Sequence, residues 1–141
     1  MTTARDIMTG GAECARSTDT LVQVARKLKE LQVGALPICG DDDRLQGMIT
    51  DRDIVVKCLA DGGDPSSVQA AQLAEGKPVT IGADDSIGEA LRTMAQHGVR
   101  RLPVIDGHDL VGVLSQADIA QNLPDDAVAD LVQAISSAPA S

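Results

Sequence analysis

Apolar residues recur at helical spacing in two stretches of the chain. Leu21, Val24, Ala25, Leu28 and Leu31 fall on one face of the first, and Ile87, Ala90, Leu91 and Met94 on one face of the second. Thr20-Leu21-Val22-Gln23 and Ser86-Ile87-Gly88-Glu89 stand at their starts. In each, a hydroxyl accepts from the N–H three residues on, whose Gln or Glu side chain reaches back, so both stretches begin as capped helices. Gly34 and Gly98 mark the exits. Short apolar runs follow, Ala35 to Ile38 and Leu102 to Ile105. Each returns through a polar turn, Gly40-Asp41-Asp42-Asp43 or Asp106-Gly107, into Leu45 to Ile49 or Leu110 to Leu114. Such runs around such turns predict β-hairpins. A last helix carries Ile54, Val55, Cys58 and Leu59 in the first half and Ile119, Ala120 and Leu123 in the second. A leading segment before each long helix, Ala12 to Cys14 and Pro78 to Thr80, suits one short strand.

The two halves are therefore copies of one β-α-β-β-α unit, and the class is α/β (α+β). Leu36-Pro37-Ile38 returns as Leu102-Pro103-Val104 at an offset of 66, which also carries Thr20 to Ser86, Leu28 to Met94 and Val33 to Val99. Gly47-Met48-Ile49-Thr50 returns as Gly112-Val113-Leu114-Ser115 at 65, because the intervening turn is one residue longer in the first copy. The expected organisation is a first unit over 1–61, a linker over 62–69 and a second unit over 70–124. A helix over 125–135 follows, with its apolar positions between Ala127 and Ile135, then a Ser/Ala/Pro tail over 136–141 with no means of ordering itself. Units of about 60 residues are marginal alone, so the copies are expected to lean on each other.

Composition removes several functions. None of the 141 residues is aromatic, so no platform exists on which bases stack, and a net charge of -9 opposes nucleic acid and anionic lipid. No run approaches the roughly 18 apolar residues of a membrane span. The start, Met1-Thr2-Thr3-Ala4-Arg5-Asp6, lacks the apolar core of a secretory signal, which makes the cytoplasm the default and export without a signal peptide the alternative. Cys14, Cys39 and Cys58 show no C-x-x-C spacing. No phosphate-binding glycine loop, nucleophile elbow or H-E-x-x-H is present, and no catalysis is expected.

Each copy enters its hairpin on Leu-Pro and leaves it on Gly-h-h-[Ser/Thr]-x-x-Asp, where h is apolar: Gly47 to Asp53 in the first and Gly112 to Asp118 in the second. This repeated, ordered signature resembles the CBS-domain pair, or Bateman module, over about residues 4 to 123. The resemblance implies two CBS units packed through their sheets about a pseudo-twofold axis, with two clefts for adenosine-containing ligands such as AMP, ADP, ATP or S-adenosylmethionine. It implies further association into a homodimer, no required cofactor, an unidentified protein partner, and a regulatory role in energy stress or low oxygen.

Carried over by position, Thr50 and Asp53 serve one cleft, and Ser115 and Asp118 the other. A carboxylate accepts from both ribose hydroxyls, while a hydroxyl at a helix start lies beside N–H groups that favour a phosphate. Ala35, Pro37 and Arg52 would line the first cleft, and Arg101 and Pro103 the second, with Arg100 beside them. The same pairs also fit plain helix caps with an acidic residue in the first turn, and Asp51 with Asp41 to Asp43 places carboxylates near any anion. The rival function is a ligand-free dimeric structural or interaction protein.

The remaining chemistry is sparse. Cys58 aligns with Leu123 and is expected to be buried and inert. Cys14 and Cys39 lie in neighbouring strands, so a disulfide and a pair of free thiols in a reducing compartment both stay open. His97 aligns with Leu31 and is the best single metal ligand on offer; with His108 in a turn and no further ligand at metal spacing, no zinc site is expected.

Overall fold

The computed structural model describes residues 2–11, 13–74 and 78–136. Along the described residues the elements are α1 (Ala4–Ile7), β1 (Thr9–Gly10), β2 (Ala15–Arg16), α2 (Leu21–Leu31), β3 (Ala35–Cys39), β4 (Leu45–Thr50), α3 (Asp51–Asp53) continuing as a π-helical turn (Ile54–Leu59), α4 (Ala70–Leu73), β5 (Ile81–Gly82), α5 (Ile87–His97), β6 (Arg101–Asp106), β7 (Asp109–Ser115), α6 (Gln116–Asn122) and α7 (Asp125–Ser136). The chain divides into two compact units, Glu13–Pro78, and Met1–Ala12 with Val79–Ser141.

In Glu13–Pro78 a three-stranded sheet has the order β2-β3-β4, with β2 parallel and β4 antiparallel to β3. Leu21, Val24 and Leu28 of α2 bury their side chains with Leu36, Ile38 and Ile49 of the hairpin and with Ile54 and Cys58. The two remaining positions of the predicted helix face are exposed, Leu31 to 39% and Ala25 as well. Helix α2 ends on Gln32 in the left-handed region, at φ 56°, two residues before Gly34. In the second copy the corresponding residue is Gly98, at φ 63°, where no Cβ opposes that conformation.

The second copy forms a four-stranded sheet, β1-β7-β6-β5. Met94, Leu102, Val104, Leu114 and Ile119 are wholly buried there, and α7 closes the core with Leu131 and Ile135. Helix α7 begins at Asp125, as expected for the stretch 125–135, and runs one residue further, to Ser136. Of the expected tail, Ser136 ends this helix and residues 137–141 lie outside the described residues. No helix among the described residues is long and apolar enough to cross a membrane.

Four features depart from the sequence reading. Ser86 caps α5 by accepting from N–H of Glu89, but the Glu89 carboxylate accepts from Arg92 at 2.7 Å instead of reaching back to Ser86. The leading strands are Ala15–Arg16 and Ile81–Gly82, later than Ala12 to Cys14 and Pro78 to Thr80, because Ala15 and Ile81 are the residues that bury against Ile38 and Val104. The last helix of the first copy winds as a π-helix over Ile54–Leu59, with N–H of Ala60 donating to O of Val55 at 2.9 Å, whereas α6 is α-helical.

Compact units and sequence copies also differ in extent, since each copy is preceded by a short helix that packs with the other copy. Ala4 is fully buried in the second copy's core, and Ala70 in the first's. N–H of Ala4 donates to O of Asp85 and N–H of Ile87 to O of Thr2; 66 positions apart, N–H of Ala70 donates to O of Asp19 and N–H of Leu21 to O of Val68. The bonds from Ile87 and Leu21 satisfy the otherwise unpaired first N–H of each long helix, and those from Ala4 and Ala70 do so for α1 and α4.

Candidate ligand-binding site

Strand β4 passes into α3, and β7 into α6, with no intervening loop, so Thr50 and Ser115 are both the last strand residue and the helix N-cap. N–H of Thr50 donates to Asp53 Oδ2 at 2.9 Å, and N–H of Asp53 donates to Thr50 Oγ1 at 3.0 Å. The second copy repeats this with Ser115 to Asp118 at 2.9 Å and Asp118 to Ser115 at 3.1 Å. The helix-cap expectation is thus realised in full, and the reciprocal bonds fix the rotamer of each carboxylate.

One oxygen of each carboxylate stays outside the cap. Asp53 Oδ1 lies 3.4 Å from Lys57 Nζ, one turn along, with the Asp53 side chain only 15% exposed. Asp118 Oδ1 accepts a 3.2 Å hydrogen bond from Thr9 Oγ1. Lys57 stands at the four-residue spacing that a helix brings together, a signal present in the sequence. Thr9 lies 109 residues from its partner, and no local pattern announces it.

Register gathers the predicted lining residues. Ala35 pairs with Thr50 and Pro37 with Met48; Arg101 pairs with Ser115 and Pro103 with Val113. Residues directly opposite share a face, as do alternate residues along a strand. Ala35, Pro37 and Thr50 therefore lie on one face of their hairpin, opposite the face carrying Leu36, Ile38 and Ile49, and Arg101, Pro103 and Ser115 lie on one face of theirs. The prolines are tolerated inside a sheet because β2 and β5 pair only with the residues that follow them, leaving that side of Pro37 and Pro103 without a strand. Both prolines are buried, whereas Arg52, Arg100 and Arg101 are exposed.

The remaining candidates lie elsewhere. A disulfide joins Cys14 to Cys39 across a Cα separation of 5.6 Å. Cys39 ends β3 and Ala35, which pairs with Thr50, begins it, so the bridge is at the opposite end of the strand from Thr50. Cys58 is a free, buried thiol. His97 ends α5 in an exposed position, and among the described residues no group of three His, Cys, Asp or Glu side chains is placed to hold a metal ion.

The CBS domain model matches residues 4–59 and 70–125. The chain is 52% identical to Hypoxic response protein 1 of Mycobacterium tuberculosis over 137 residues, covering 97% of this chain and 96% of that protein. The crystal structure of Hypoxic Response Protein I with two coordinated zinc ions superposes with a TM-score of 0.82 at 53% identity, over 87% of this chain and all of that one. Two further structures share the fold. CBSX2 in complex with AMP has a TM-score of 0.74 at 22% identity, over 86% of this chain and 95% of that one. The CBS domain pair of protein MJ0100 with 5-methylthioadenosine and S-adenosyl-L-methionine has 0.77 at 24%, over 86% and 94%. With both hairpin-exit motifs in place and the family model matched twice, the chain belongs to the CBS-domain family and is a CBS pair.

Proposed function

We propose that this CBS pair is a non-enzymatic regulatory protein that senses adenosine-containing ligands under energy stress or low oxygen, acting as a homodimer or on a separate partner. The observation that carries the reading is the pair of capped carboxylates: in each copy a hydroxyl and a carboxylate are locked together on the hairpin exit, and one carboxylate oxygen points away from the cap. A ribose offers two hydroxyl donors to such an oxygen, and the backbone that holds it is already ordered, so binding loses little conformational entropy. The similarity to a hypoxic response protein supports the setting, and AMP and S-adenosylmethionine bound to other CBS pairs support the ligand class. Titration of the folded protein with AMP, ADP, ATP and S-adenosylmethionine tests the proposal, and no binding at millimolar ligand refutes it.

Zinc is bound by the related crystal structure; among the described residues of this chain no group of three His, Cys, Asp or Glu side chains is placed to hold a metal ion. No role is assigned to a metal.

A second reading is favoured by a separate observation. Val55, Val56 and Leu59 on the π-helical turn are exposed to 55%, 43% and 52%, and Leu31 and Val33 of the same unit are also exposed. Clustered apolar exposure marks association surfaces, which suits a ligand-free dimeric interaction protein. Under that reading Asp53→Ala and Asp118→Ala leave association unchanged by sedimentation velocity.

A further inference from the structure

Met8 joins the chain start to the sheet of the second copy. It ends α1 as the residue whose N–H donates to O of Ala4 at 2.9 Å, and its half-buried side chain packs against the core that includes Ala4, Leu114 and Ile119. A Cβ at Gly112 would stand 2.6 Å from Met8 Sδ, so the sulfur rests where β7 lacks a side chain. Strand β1 follows at once with two register pairs on β7, Thr9 with Val113 and Gly10 with Gly112, and Thr9 Oγ1 donates to Asp118 Oδ1. So short a ladder leans on the packing of Ala4, Ile7 and Met8. The repeat-related contact in Glu13–Pro78 sets Ala74, 66 positions after Met8, against Gly47, and has no sulfur.

A thioether is apolar and adaptable, and one added oxygen makes it polar. At Met8 that oxygen meets the bare Gly112 Cα and the Thr9 carbonyl oxygen, which lies 2.7 Å from the same built Cβ; neither is a useful donor. Burying a polar atom without a partner is costly, so the oxidised side chain favours solvent. The other methionines among the described residues offer no such lever: Met94 is wholly buried in α5, and Met48 pairs with Pro37 inside the six-residue strand β4. We propose that Met8 is an oxidation site whose sulfoxide releases residues 2–11 from β7 and withdraws the Thr9 hydroxyl from Asp118. The oxidant is a peroxide, small enough to reach a half-buried side chain. Its O–O bond breaks as one oxygen bonds to sulfur, the sulfur gives up two electrons, and the other oxygen leaves as water.

Hydrogen peroxide treatment of the full chain, followed by peptide mass spectrometry and amide hydrogen exchange, tests this. Met8 is expected to gain one oxygen in the native protein, while Met94 gains none until urea unfolds the chain. In the Met8-oxidised protein, exchange at residues 4–10 and 112–114 quickens by about tenfold or more, because an unpartnered polar group opposes the docked state. Methionine sulfoxide reductase, supplied with a thiol reductant, restores the original rates; the oxygen leaves as water and two thiols become a disulfide. Met8→Leu, a volume-conserving change, keeps the chain start docked and, carried through the same steps, shows no response, whereas Met48→Leu responds as the wild type does. Met8 as unreactive as Met94 in the native protein, unaltered exchange after Met8 oxidation, or the same quickening in Met8→Leu would each overturn the inference.

Discussion

Replacing Gly112 by alanine tests whether the chain start packs on the second copy's sheet as described. Gly112 lies in β7 between Val104 of β6 and Gly10 of β1. A Cβ there would stand 2.6 Å from Met8 Sδ and 2.7 Å from the Thr9 carbonyl oxygen. The thioether can swing aside, but the carbonyl is backbone, so β1 itself must shift. Overpacking of this kind costs about 1–3 kcal/mol, and the lower chain entropy of unfolded alanine offsets about 0.4–1, leaving a net loss of about 1–2 kcal/mol. Gly47, the repeat-related glycine, is the internal control: its Cβ would meet Ala74 Cβ at 3.1 Å, a contact relieved by a few tenths of an ångström, and Gly47→Ala is expected within about 0.5 kcal/mol of wild type. Urea unfolding must be followed by far-ultraviolet circular dichroism, because the protein has no aromatic residue to fluoresce. Gly112→Ala should lower the midpoint by about 0.5–1 M. Equal midpoints for the two variants, or a larger loss in Gly47→Ala, would refute the packing of residues 2–11 on β7.

Three further outcomes are expected. Cys14→Ala with Cys39→Ala opens a loop of sequence separation 25 and should destabilise the protein by about 3.5 kcal/mol on the chain-entropy account, read as a midpoint shift against the oxidised wild type; an unchanged midpoint would deny the bridge a structural role. Thr50→Ala and Ser115→Ala should each lose about 1 kcal/mol of cap stabilisation in the same assay, and a neutral result would mean the caps do not hold α3 and α6. The Thr3 N–H and hydroxyl hold the Asp6 carboxyl below its ordinary value, and the Ser66 hydroxyl and N–H do so for Asp64. A carboxyl depressed in the folded state contributes stability that is complete above its unfolded pKa of about 3.9 and is lost as pH falls through the lower folded value. Thermal melts should therefore decline as pH falls below about 4, and Asp6→Asn with Asp64→Asn should flatten that decline; an unaltered acid slope would exclude these two groups.

The hairpins and long helices are legible in the sequence because burial on one face imposes a period, and Leu21, Val24 and Leu28 or Ile87, Ala90 and Met94 follow it. Where the period overreached, at Ala25 and Leu31, the helix face is narrower than a helical wheel suggests. Helices α1 and α4 were missed, since four residues carry no period and their stability comes from packing with the other copy. The π-helical turn was equally hidden: Ile54 and Cys58 face the core at a spacing that an α-helix also satisfies. At the site, the motif located Thr50, Asp53, Ser115 and Asp118, and duplication located their strand partners. What distinguishes the two pairs was only half visible, because Lys57 is a local neighbour of Asp53 whereas Thr9 reaches Asp118 through the exchange of leading segments.

The central claim concerns where an adenosine ligand binds, and amide chemical-shift mapping of the isotopically labelled protein during AMP titration tests it most directly. The account predicts saturable shifts at the capped pairs, Thr50 to Asp53 and Ser115 to Asp118, and at their strand partners Ala35 and Arg101. Saturable shifts confined to other surfaces, or none at millimolar AMP, would contradict it.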